Sequence, residues 1–136
     1  VYMRDNKFDL AEKHYILLTK HHATLPVGFV GLAEIKLKTK KTQEAVKNYE
    51  KAVELSPLSI DLRMRLAELY ESDKTQINLA LQTYRKILDL LSNATASRRY
   101  AEVKTKIQKI EIEMSRSISN EKRIISQSDE SMRVKK

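Results

Sequence analysis

The sequence predicts an all-α fold, a stack of helix–turn–helix pairs followed by one C-terminal helix. Three observations carry that expectation. Only two glycines and two prolines occur in 136 residues, so long helices can run between short turns. Apolar residues recur at intervals of three and four, the period of a helix face. A short segment also returns three times: AEKHYILL from residue 11, AVKNYEKA from residue 45 and ALQTYRKI from residue 80. Its starts lie 34 and 35 residues apart. Self-similarity at that period marks a repeat array, because a single helix pair cannot bury its own apolar face and must lean on the next.

Taken in order, residues 1–25 read as a partial repeat. Tyr2 falls near the end of a first helix, and Ala11 and Tyr15 fall in a second. Because most of that first helix is missing, the chain is expected to be part of a longer repeat protein. Residues 26–58 read as a whole repeat. Pro26 suits a first helical turn, where a missing N–H costs nothing. Phe29, Leu32, Ala33 and the run Ile35 to Leu37 supply the apolar face of the first helix. Thr42 is placed to cap the second helix, which carries Ala45, Tyr49 and Ala52 and is stopped by Pro57. The alanines let antiparallel helices approach, and the tyrosine fills the gap to the next pair.

Residues 59–96 repeat the scheme. Ser59 is a candidate N-cap, with Asp61 close behind at the positive end of the helix dipole. Leu62, Leu66, Ala67, Leu69 and Tyr70 make the first helix, and Ala80, Tyr84 and Ile87 mark the second. Residues 97–116 form a different helix, capped by Ser97, with a seam of Tyr100, Val103, Ile107, Ile110 and Met114. It suits either a capping helix that closes the array or a helix that pairs with a partner. Residues 117–136 read as a basic, Ser-rich, flexible tail.

The pattern over roughly residues 2–92 resembles the tetratricopeptide repeat family. In the middle repeat the resemblance rests on Phe29, Leu32, Ala33, Ala45, Tyr49, Ala52 and Pro57, with Lys36 where the family has Tyr. The third repeat contributes Leu66, Ala67, Tyr70, Ala80 and Tyr84, with Arg63 where a large apolar residue is usual. Tyr2, Ala11 and Tyr15 match in the first. The resemblance implies a right-handed solenoid acting as a non-catalytic protein-interaction scaffold in a larger protein or assembly. By the family pattern, its concave groove is lined by Val27, Val30, Glu34, Leu37, Lys38, Asp61, Met64, Arg65, Glu68 and Glu71. The family's carboxylate clamp, a set of Lys, Asn and Arg residues, is not reproduced. Val30, Glu34 and Asp61 occupy clamp positions, and only Arg65 agrees.

Net charge is +8. Residues 97–136 hold 11 Lys/Arg against 6 Asp/Glu, so most of the excess lies there. Lys36, Lys38, Lys40 and Lys41 form a basic edge at one turn, with Lys7 and Lys74 expected at equivalent turns. This supports an alternative reading, a subunit of a nucleic-acid-associated complex that touches phosphates through edge and tail. No stacking aromatics accompany the lysines, so base reading is not expected.

With no cysteine, disulfides, thiolate metal sites and a thiol nucleophile are excluded, and an intracellular location, cytoplasmic or nuclear, is the expectation. His14, His21 and His22 lack metal-ligand spacing, and the two glycines cannot build a phosphate loop. No catalytic residue, metal or cofactor is therefore expected. The expected partner is a protein segment or helix, with no membrane span and no small-molecule substrate.

Overall fold

The computed structural model describes residues 2–134, with side chains from residue 7 onward. Among these residues the regular structure is helical: α1 (Tyr2–His21), α2 (Val27–Lys38), α3 (Thr42–Leu55), α4 (Ile60–Glu71), α5 (Ile77–Leu90) and α6 (Arg98–Val134). Single 3₁₀ turns, Lys74–Gln76 and Ser92–Ala94, precede α5 and α6. The chain divides into two compact units, Val1–Asn93 and Ala94–Lys136.

In the first unit each helix packs chiefly on its neighbours in sequence: α1 on α2, α2 on α3, α3 on α4 and α4 on α5. That one-dimensional pattern defines a helical solenoid. The repeated letters explain it. On α3 the buried set is Ala45, Val46, Tyr49, Ala52 and Val53; on α5 it is Ala80, Leu81, Tyr84 and Ile87. Both follow the same offsets, one stripe of a helix. The facing helices answer with Leu32 and Ala33 on α2, and Leu66, Ala67 and Tyr70 on α4. Ala33, Ala45, Ala52, Ala67 and Ala80 are wholly inaccessible.

The helix ends follow capping chemistry, with two adjustments. Ser59 caps α4, its Oγ accepting from the Leu62 N–H at 3.3 Å. Ser97 does the same ahead of α6, accepting from the Tyr100 N–H at 3.2 Å. Pro26 stands at the N-cap rather than within the first turn of α2. Thr42 is the first helical residue of α3 and not its cap; Lys41 holds that position without a side-chain bond. The end of α2 explains why. The Lys41 N–H donates to the Lys36 carbonyl at 2.7 Å and the Lys40 N–H to the Leu37 carbonyl at 3.1 Å. This is a Schellman closure, and it drives Lys40 to φ 63.

Two expectations from the sequence change. A turn was expected near Lys7, closing a first helix at Tyr2, but α1 runs unbroken from Tyr2 to His21. No Gly or Pro interrupts it, and Asp5-Asn6 alone does not stop a helix. The first repeat therefore contributes one helix, and the Tyr2 side chain lies outside the described residues. Second, α6 does not end near residue 116 but continues to Val134, across the expected flexible tail. At the start of this stretch the Ser115 and Ser117 hydroxyls donate to the carbonyls of Glu111 and Glu113, four residues back on the same helix. Residues 115–134 are all exposed. Within α6, Val103, Ile107 and Ile110 are buried, and Tyr100 and Met114 are half-buried.

Lys40 adopts a left-handed backbone that disfavours any residue with a Cβ. Lys40→Gly should raise unfolding stability by about 0.5–1 kcal/mol, read as a higher urea midpoint with an unchanged slope. An unchanged or lower midpoint would show that the turn does not hold this geometry in solution.

Candidate partner-binding groove

The groove is built outward from α2, whose polar residues tie neighbouring helices together. Lys36 stands where Tyr70 stands in the next repeat. Tyr70 is buried, and burial followed by the nearby Glu50 pushes its hydroxyl up to about 12. Lys36 is likewise largely enclosed, but it is satisfied by charge. Its Nζ lies 2.6 Å from Glu12 Oε1 on α1 and 3.1 Å from Glu44 Oε2 on α3. The ammonium thus joins three consecutive helices, and the bond to Glu12 holds its pKa above the ordinary lysine value.

Two residues earlier, Glu34 makes the opposite arrangement. Its Oε1 accepts from the Tyr49 hydroxyl on α3 and, at 3.1 Å, from Arg65 Nη2 on α4. The Tyr49 bond is the main cause that lowers the Glu34 carboxyl, assisted by Arg65 against partial desolvation. Burial, then Glu34, raises the Tyr49 hydroxyl. Arg65 Nη1 also lies 3.9 Å from Glu68 Oε2. In the next repeat Tyr84 donates to Glu71 Oε2 at 3.1 Å.

Between α1 and α2 lies a cleft of about 420 Å³. Val27, Val30, Glu34 and Lys38 line it from α2. Lys7, Phe8, Ala11 and Tyr15 line it from α1, and these were not anticipated as groove residues. Two glycines set its depth. A Cβ on Gly31 would collide with the Tyr15 ring, and one on Gly28 would come within 2.9 Å of Thr19 Cγ2. α1 can therefore lie close against α2.

The remaining groove positions do not join this cleft. Leu37 and Met64 are half-buried elsewhere, and Asp61 and Glu68 are exposed on α4. Arg65, the one clamp-like residue, is engaged by Glu34 and Glu68. The basic edge also contracts. Lys36 faces inward between two carboxylates, leaving Lys38, Lys40 and Lys41 exposed at the turn. Lys7 lies within α1 and lines the cleft rather than a turn. His14 stacks edge-on to Tyr15, with ring centroids 5.5 Å apart. Among the described residues no group of three His, Asp or Glu side chains is placed to hold a metal ion. No helix there is long and apolar enough to cross a membrane.

Stacked helix pairs with inaccessible alanines and the buried tyrosines Tyr49 and Tyr84 make a solenoid of the tetratricopeptide type. Residues 29–57 match the tetratricopeptide repeat family model. No curated protein gives a significant match. Solved structures do. The type III secretion translocator chaperone SycD of Yersinia enterocolitica superposes with a TM-score of 0.65 at 15% identity, over 83% of this chain and 78% of that one. A second SycD structure, an alternative dimer, gives 0.63 at 16% identity, over 82% and 85%. The TPR2B domain of yeast Sti1, solved in complex with pHsp70, gives 0.61 at 19% identity, over 82% and 89%. At these identities the likeness is one of fold.

The Glu34 geometry fixes a pH dependence. Its folded pKa lies below the ordinary 4.5, so its stabilisation is present above about 4.5 and fades as pH falls through the lower folded value. Glu34 keeps 41% of its side chain exposed, so the effect is about 1 kcal/mol or less. Glu34→Gln should lower the thermal midpoint at pH 7 and flatten its decline on acidification. Parallel wild-type and variant curves from pH 7 to the acid transition would contradict the assignment.

Proposed function

We propose that this chain is a non-catalytic interaction scaffold that holds a segment of another protein along the concave side of α2, with the α1–α2 cleft as its principal seat. The observation that supports this most is the cleft itself. Four positions implied for the groove, Val27, Val30, Glu34 and Lys38, converge there on an apolar floor from α1. Pockets that seat partners are concave and mostly apolar, with a few placed polar groups. This one has Phe8, Ala11, Val27, Val30 and Ile35 for the first requirement, and Lys7, Glu34 and Lys38 for the second.

The reading is tested by photo-crosslinking in the organism that makes the protein. A benzophenone side chain at Val30 should give a discrete crosslinked protein adduct. The same group at Glu54, exposed on α3, should give none. Equal adducts at both positions, or none at Val30, would contradict it.

A further inference from the structure

The cleft has a charge character that narrows what it accepts. Of its three charged lining residues, Glu34 is already committed, its carboxylate oxygen accepting from both Tyr49 and Arg65. Arg65 balances the charge of that carboxylate, and Lys38 acts on it more weakly than Arg65 does, so with Lys7 the lining carries a positive excess. Lys38 is exposed near the C-terminal end of α2, and Lys7 is exposed on α1. Both line the cleft. The apolar floor of Phe8, Ala11, Val27 and Val30 accompanies them.

We propose that the α1–α2 cleft takes a bulky apolar side chain of a protein segment with carboxylate side chains close beside it in sequence. Lys7 and Lys38 receive the carboxylates, and the floor takes the anchor. This rests on the groove reading above and adds the chemical class of the bound segment. The carboxylates are side chains along the segment. A chain terminus is not called for, because Arg65, which pairs with Glu34 and lies near Glu68, is not among the residues that line the cleft. Opposite charge at an exposed rim selects partners and speeds encounter more than it adds affinity, so the acidic preference is expected to be salt-sensitive.

A library of short random peptides displayed on phage, selected in parallel against wild type and a Lys7→Gln/Lys38→Gln variant, tests this. Wild type should enrich peptides with Leu, Phe or Trp next to Asp or Glu. Lys7→Glu/Lys38→Glu should weaken the best synthetic peptide about tenfold, and higher salt should narrow the gap. Val30→Asp should abolish binding. Since Val30 is half-buried, Val27→Asp serves as a second block at an exposed position, with helicity checked for every variant. Peptides blocked by Val27→Asp but showing no acidic excess over the double-Gln selection would overturn the acidic preference and leave the groove reading standing. Peptides indifferent to both aspartates, or no enrichment at all, would overturn both.

Discussion

The close approach of helices within each pair is the constraint on which the rest of the structure depends. Five alanines with no accessible surface, Ala33, Ala45, Ala52, Ala67 and Ala80, stand on α2 to α5. Side chains of that size let two backbones come together, and larger ones would hold them apart. Once the pairs are close, the outer shoulder of each second helix presents a tyrosine to the seam. Tyr49 and Tyr84 are buried almost completely, and each hydroxyl ends on a carboxylate, Glu34 or Glu71. A buried hydroxyl needs such an acceptor.

Polar ties then cross the seams that the alanines create. Lys36 and Glu34 sit two residues apart on α2, so they leave the helix in different directions. The ammonium draws in α1 and α3, and the carboxylate draws in α3 and α4. Lys36 keeps its charge up to a pKa above the lysine norm, so its contribution persists below about 10.5 and is lost only as pH rises past the higher folded value. Glu34 has the opposite dependence, and both ties are therefore intact near neutrality. Functionally, pairing Glu34 with Arg65 leaves the cleft, lined by Lys7, Glu34 and Lys38, with a positive excess.

Much of the solenoid was legible in the letters. The buried stripes of α3 and α5 repeat at the same offsets, and Ser59 and Ser97 cap their helices as their position suggested. What the sequence concealed depends on partners distant in the chain. Lys36 reads as one more lysine in a basic run until Glu12 and Glu44 are brought beside it. The wall of the cleft on α1 was hidden by an expected turn near Lys7. Without a Gly or Pro to mark a break, the helix continues, and it places Phe8 and Ala11 beside Tyr15. Gly31 carried the signal that could have exposed this, since a glycine within an otherwise apolar helix face often marks close approach of another chain segment. The length of α6 was obscured by serines, which suit loops unless their hydroxyls turn back onto the helix.

The central claim is that the alanine seam couples the helices of a pair as one cooperative element. It is tested most directly by hydrogen exchange on Ala45→Leu, which forces three extra carbons into a position with no free space. The account predicts that amide protection falls together in α2 and α3, because the seam belongs to both. Protection lost from α3 alone, or from neither helix, would contradict it.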